Sequence, residues 1–182
     1  MKIIVTGGSG FIGSNVVKYL SKNHEVKIFD FKKPNNLDNE FIQGDITNSK
    51  HVINSIKDCD VVIHLAATLG VVNTETNPVL TLDTNLGGTI NVLEACKKNS
   101  SIKSIVNVTS DKCYENKEII WPYRENERMG GHDPYSSSKG CSELLSNSFR
   151  KSYNIPLATT RAGNVIGGGD LSDNRIIPDI IR

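Results

Sequence analysis

The turn after the first apolar run restricts the fold of this chain more than any other feature. Lys2 to Thr6 reads as a buried strand, and Phe11 to Lys22 carries Ile12, Val16, Val17 and Leu20 at helical spacing. Between them runs Thr6-Gly7-Gly8-Ser9-Gly10-Phe11-Ile12-Gly13, with glycines spaced G-x-x-G-x-x-G at 7, 10 and 13. Glycine lets the chain turn tightly and lets main-chain amides approach an anion. The N-terminus of the following helix, with its free N–H groups and its dipole, favours negative charge there. The third glycine lets helix and strand close on each other. A glycine-rich turn with no ligand is the plain alternative, and the position at the very first strand–helix turn favours a pyrophosphate over it.

The remaining pattern alternates. Strands are expected at Glu25 to Phe29, around Phe41 and Ile42, at Asp60 to Leu65, Ser104 to Thr109 and Ala158 to Arg161. Helices are expected at Ser49 to Ile56, from Pro78 to about Lys98, and from Pro134 through about Tyr153, proline being tolerated in a first turn. Strands alternating with helices imply right-handed crossovers, hence an α/β fold with a doubly wound parallel sheet and helices on both faces. Glu115 to Asp133 is the least regular stretch, and a loop of that length in a compact domain is usually functional.

Composition excludes several classes of partner. The 182 residues carry 21 basic and 20 acidic side chains, a net charge of +1 that offers nothing to nucleic acid or an anionic membrane surface. No apolar run approaches the roughly 18 residues of a membrane span, and the first strand starts where a secretion signal would stand, so a cytoplasmic protein is expected. Cys59, Cys96, Cys113 and Cys141 are widely spaced, read as buried free thiols rather than metal ligands, and no metal is expected. His64, at the end of an apolar strand, reads as structural.

Other residues carry possible chemistry. Asp30 ends the second strand, where a carboxylate can accept hydrogen bonds from the ribose hydroxyls of NAD and repel the phosphate of NADP, although Lys32 and Lys33 weaken that preference. Gly44-Asp45-Ile46 follows the third strand: Asp45 either meets an adenine amino group or caps the next helix. Tyr135 and Lys139 share a helix face. A neighbouring ammonium and a nicotinamide ring favour the phenolate of a tyrosine that ordinarily titrates at about 10, and such a phenolate can take a proton from a sugar hydroxyl. A solvated helix face gives the same pair. Ser110, at the end of a strand and so at the mouth of the sheet, can orient the same oxygen. Asp111 and Lys112 are either a solvated strand end or an acid and a base.

The glycine loop, Asp30, His64-Leu65-Ala66-Ala67, Ser110, Tyr135-x-x-x-Lys139 and Asn85 to Ala95 together resemble the extended short-chain dehydrogenases/reductases of the NAD-dependent epimerase/dehydratase family. Val108 to Asn116, Tyr123 to Asn126, Gly130 to Lys139, Arg161 to Asp170 and Asn174 to Arg182 resemble the CDP-glucose 4,6-dehydratases within it. That resemblance implies an NAD-binding Rossmann domain over residues 1–182, with 162–182 the start of a substrate-binding region. Implied cofactor contacts are Gly7, Gly10, Phe11, Ile12, Gly13, Asp30, Asp45, Ile46, Leu65, Ala66, Ala67, Tyr135 and Lys139. The implied reaction is oxidation at C4 of the glucosyl unit of CDP-glucose, loss of the C5 proton with the C6 hydroxyl, and return of hydride to C6. Tyr135 is then the base for oxidation, with Ser110 holding the C4 oxygen and Lys139 tuning Tyr135 and binding ribose. Asp111 is the acid for the departing hydroxyl. Lys112 stands where related dehydratases carry a glutamate, and Asn164 meets the sugar diphosphate. The first half, with Thr6 to Gly13 and Ala67 to Val71, looks more like the 4-epimerases, so epimerisation and a non-catalytic NAD-binding module are the alternatives. The family runs to about twice this length, so the chain is expected to be an N-terminal part. Its relatives pair as homodimers through two helices, which here would be those at 78–98 and 134–153.

Overall fold

A computed structural model describes residues 1–68, 71–173 and 175–182. Six strands form one parallel sheet in the order β3-β2-β1-β4-β5-β6: β1 (Lys2–Thr6), β2 (Glu25–Asp30), β3 (Glu40–Gln43), β4 (Val61–His64), β5 (Ser104–Val108) and β6 (Leu157–Thr160). The order reverses between β1 and β4, where Val5 lies between Ile28 on one side and Ile63 on the other. Crossovers leaving these two strands diverge, which opens a crevice at their carboxyl ends.

The helices are α1 (Phe11–Leu20), α2 (Ser49–Ser55), α3 (Val71–Thr76), α4 (Pro78–Leu82), α5 (Gly88–Lys98), α6 (Pro134–Tyr153) and α7 (Ile176–Ile181). Local chemistry explains several boundaries. The Asp133 carboxylate accepts the Ser136 N–H at 2.9 Å ahead of Pro134, and Asn154 closes α6 in the left-handed region. Asn48 caps α2 by accepting the N–H groups of Lys50 and His51. Asp45 instead folds back on the Thr47 N–H and hydroxyl, both at 2.8 Å, so it does not cap the helix.

The expected helix from Pro78 to Lys98 is interrupted by a π-helical turn, Asp83–Gly87, between α4 and α5. α3 and a 3₁₀ turn at Asp111–Cys113 are short and were not legible as helices, whereas α7 is a helix at the end of the chain, as the family resemblance implies. Leu69, Gly70 and Asn174, which belong to the family-like segments, lie outside the described residues.

The two faces of the sheet are covered unequally. On one, Ile4, Phe29, Val62 and Ile105 pack with Val52 and Ile56 of α2 and with Val92, Leu93 and Cys96 of α5; Leu145 and Phe149 of α6 join them. On the other, Ile3, Val5, Val26 and Ile28 pack under Val17 of α1. Val61, Ile63, Val106 and Val108 remain only partly buried. Cys59, Cys96 and Cys113 are buried free thiols as expected, whereas Cys141 is exposed on α6. No group of potential metal ligands forms among the described residues.

His64 is 3% exposed and fully bonded. The Thr89 hydroxyl donates to the Asn85 carbonyl at 2.6 Å, so its oxygen accepts from Nε2–H of His64 at 3.1 Å; Nδ1 then accepts from the Thr6 hydroxyl at 2.7 Å. Burial, with the nearby Lys139 adding to it, pushes the His64 pKa down to about 3. Between that value and the ordinary 6.5 the unfolded chain binds the extra proton, so His64 lowers stability as pH falls through this window. Chemical denaturation from pH 7 to 4 should show this loss, and His64→Gln should flatten it. An equal slope in both proteins would remove His64 from the account of acid sensitivity.

Candidate active site

In the glycine loop, two of the three spaced glycines are required by close main-chain approaches. Gly7 has φ +72°, and a Cβ there would stand 2.7 Å from the Ala66 nitrogen. A Cβ on Gly13 would stand 2.1 Å from the Gly7 carbonyl oxygen. Main-chain atoms cannot yield to such contacts, so both positions require glycine. Gly10 differs: it is exposed, and a Cβ would meet only the Gly7 oxygen at 3.4 Å. The packing tolerates a side chain there, and what glycine preserves is open space above the loop at the N-terminus of α1, beside Phe11 and Ile12.

Asp30 stands at the end of β2 and accepts the Ser9 N–H at 3.0 Å, so its carboxylate faces the loop. The Ser9 hydroxyl is buried without a partner. Leu65, Ala66 and Ala67 follow β4 directly, and the Ala66 N–H reaches the Thr6 hydroxyl at 3.4 Å. Asp45 lies exposed past β3. Ile46 is placed differently: its side chain is buried against Gly88, whose Cβ would stand 2.8 Å from it. Its carbonyl accepts from the Asn91 side chain at 3.0 Å.

The second cluster lies across the crevice at the end of β5. Ser110 is buried, starts the 3₁₀ turn and donates to Asp111 Oδ1 at 3.0 Å while accepting the Lys112 N–H at 3.2 Å. The Ser110 hydroxyl also acts on Tyr135, lowering its pKa against the effect of burial. A Cβ on Gly163 would lie 3.7 Å from Asp111 Oδ2, so glycine there leaves that oxygen approachable. Lys112 and Asn164 are exposed, the latter on the segment leaving β6.

Tyr135 and Lys139 share a face of α6, with the ammonium 5.9 Å from the centre of the ring. Their ionisation departs from the expected phenolate. Burial dominates and raises the Tyr135 pKa; the Ser110 bond and the Arg175 charge lower it, and Asp111 and Asp133 raise it again. Lys139 is also buried, its ammonium is 3.4 Å from the Val108 carbonyl, and burial pushes its pKa down to about 8. Burial disfavours the charged form of both groups, so Tyr135 keeps its proton in the chain alone.

Asn85, in the π-helical turn, was not singled out from the sequence. Its buried side chain accepts the Thr68 N–H at 2.7 Å and donates to the Thr68 carbonyl and the Ser138 hydroxyl at 3.1 and 3.0 Å. Ser138 in turn donates to the Tyr135 carbonyl at 2.7 Å. The loop after β4 is thereby fastened to the first turn of α6. The signal was a polar residue on an otherwise apolar helix face, and only the π-helical turn shows that it points inward.

This arrangement matches known proteins throughout its length. The chain is 42% identical to the CDP-glucose 4,6-dehydratase of Salmonella typhimurium, an alignment covering all of this chain and 56% of that protein. It is 38% identical, over 91% of its length, to a putative UDP-glucose 4-epimerase of Methanocaldococcus jannaschii, of which it covers 56%. Among solved structures, the dTDP-glucose 4,6-dehydratase of Streptomyces venezuelae, determined with NAD bound, superposes with a TM-score of 0.91 at 25% identity, over all of this chain and 61% of that one. The chain thus spans little more than half the length of these relatives. The NAD dependent epimerase/dehydratase family model matches residues 3–182, and the chain belongs to that family.

Proposed function

We propose that this chain is the NAD-binding part of a sugar-nucleotide 4,6-dehydratase acting on CDP-glucose, a hydro-lyase, and that residues 162–182 begin its substrate-binding region. The observation that carries the reading is Asp111 bonded to Ser110 beside Tyr135. An epimerase needs a proton-handling pair at the C4 oxygen, but it has no departing C6 hydroxyl for a second acid to meet.

The residues fit NAD. The loop over 7–13 offers main-chain amides and open space at Gly10, the unpartnered Ser9 hydroxyl lies within it, and the Asp30 carboxylate faces it. The main chain at Asp45 and Ile46 borders the adenine end; Leu65, Ala66 and Ala67 border the other. When bound, NAD accepts hydride from the sugar and returns it. Tyr135, as phenolate, would receive the proton of the C4 hydroxyl, a form that Ser110 and the Arg175 charge favour and burial opposes. Ser110 has one proton to give, to Asp111 or to the Tyr135 phenolate, so proton demand at Tyr135 frees Asp111 from that bond. Asp111, entering this step protonated, gives its proton to the C6 hydroxyl, which leaves as water, while the C5 proton passes to a base, for which the neutral amine of the adjacent Lys112 is the candidate. Asn164 is available to the diphosphate.

Two further readings follow from the surface. Leu144 and Cys141 on α6, and Val79, Leu80 and Ile90 on α4 and α5, are exposed, which supports a homodimer through these helices. No described helix is long and apolar enough to cross a membrane. A nucleotide-sugar substrate supports a cytoplasmic location.

Incubation of the purified chain with NAD and CDP-glucose, followed by absorbance of the 4-keto product in alkali, tests the activity. The same assay should be run on a protein completed with a relative's C-terminal region. Product in either, lost by at least about a thousandfold in Tyr135→Phe while NAD binding persists, is expected; a fully active Tyr135→Phe removes the assignment. Asp111→Asn should slow loss of the C6 hydroxyl more than C4 oxidation, visible as hydrogen exchange at C4 without product. Equal slowing of both steps would exclude Asp111 as the specific acid. Light scattering should give a dimer, and Leu144→Arg a monomer; an unchanged mass would move the interface elsewhere.

A further inference from the structure

Glu143 lies eight residues after Tyr135 on α6, about 12 Å along the axis, too far to touch the reacting atoms. It is 5% exposed, yet both carboxylate oxygens are occupied. Oε1 accepts from the Thr109 hydroxyl. Oε2 accepts from Arg161 Nη2 at 2.9 Å and from the Thr159 hydroxyl at 3.1 Å. Arg161 in turn donates from Nη1 to the Tyr114 hydroxyl at 2.7 Å and to the Glu125 carbonyl at 2.8 Å. Tyr114 stacks on Tyr123, with ring centres 5.2 Å apart. One buried carboxylate therefore ties together α6, the last residue before Ser110, the exit of β6 and the long excursion after Cys113.

A buried ion pair gains little over an apolar pair of the same shape, so its value is geometric. The geometry here is specific. Thr109 precedes Ser110 directly, and Tyr135 stands on the same rigid helix as Glu143. Fixing Thr109 to Glu143 fixes the end of β5 against α6, and hence the Ser110 hydroxyl against the Tyr135 phenol. We propose that Glu143, with Arg161, is a positioning residue that holds Ser110 in hydrogen-bond register with Tyr135. The proposal rests on Ser110 and Tyr135 as the proton-handling pair, but its test needs no turnover. Despite the burial that would raise it, the Glu143 pKa is held low by the Arg161 and Thr109 bonds, so the carboxylate stays charged and the clamp stays closed at neutral pH.

Position and charge predict opposite signs. Removing the negative charge of Glu143, and leaving Arg161 unpaired, would by Coulomb's law alone lower the Tyr135 pKa. Losing the Ser110 bond raises it, because that bond stabilises the phenolate. The experiment replaces tyrosine by 3,5-difluorotyrosine, whose fluorines bring phenol titration down toward neutral pH. Titration is followed by fluorine NMR, and Tyr135 is identified among the 5 tyrosines by Tyr135→Phe. Glu143→Gln and Thr109→Val should each raise the Tyr135 midpoint by about 0.5 to 1 unit, the size of one hydrogen bond, and neither should raise it further in a Ser110→Ala background. Thr109→Val leaves the ion pair intact and decides the matter if Glu143→Gln does not fold. A midpoint that is unchanged or lowered in folded Thr109→Val, or a rise that persists without the Ser110 hydroxyl, overturns the proposal and leaves Glu143 a structural ion pair.

Discussion

Gly13 lies so close to Gly7 that a Cβ there would stand 2.1 Å from the Gly7 carbonyl oxygen, and a Cβ on Gly7 would stand 2.7 Å from the main chain of Ala66. These two contacts bring β1, α1 and the exit of β4 together where the strand order reverses. A methyl group at either point would push the helix from the strand or the first strand from the fourth, and the crevice would close or tilt. Three residues at the carboxyl end of the sheet are tied to this corner: Asp30 through the Ser9 amide, Ala66 through Thr6, and His64 through the same Thr6 hydroxyl.

Around that fixed corner the interior changes character. Away from the site, the sheet packs aliphatic side chains against α1, α2 and α5. Toward the site the buried groups are polar: Thr6, His64, Thr89, Asn85, Ser138, Lys139 and Glu143. Directional bonds hold what apolar packing would leave free to slide, and unmade bonds in such an interior are costly, which favours one arrangement over its neighbours. The cost appears in the ionisation of the site. The burial that fixes Lys139 and Tyr135 also opposes their charges, so the chain alone holds a protonated tyrosine and an amine whose pKa is near neutrality. A positively charged cofactor ring is the group that would redress that balance.

Much was legible in the residues because the signals were local or periodic. The glycine loop, the α6 helix from Pro134 to Tyr153, the strand ending in Asp30 and the strand that leads to Ser110 stand where spacing and turn chemistry put them. Ser110, Asp111, Tyr135 and Lys139 converge as expected, since strand ends and helix starts of a parallel sheet meet on one side. Ile46, which the family resemblance implied as a cofactor contact, fills with its side chain the space that Gly88 leaves. Cys141 was read as buried and lies on the outer face of α6. Asn85 and Glu143 were passed over, because an Asn or Glu within a helix reads as solvent-facing until its partners are known.

The sequence alone determined the alternation of strands and helices and the glycine turn between β1 and α1, and it singled out Ser110, Tyr135 and Lys139 as candidates, because each follows from residue type and short-range spacing. Only the tertiary structure decided which polar side chains turn inward, which tyrosine proton is held and which side chain Glu143 meets. Those outcomes depend on burial and on contacts across dozens of residues, as between Thr6 and His64 or Asn85 and Ser138, and no local pattern carries that information.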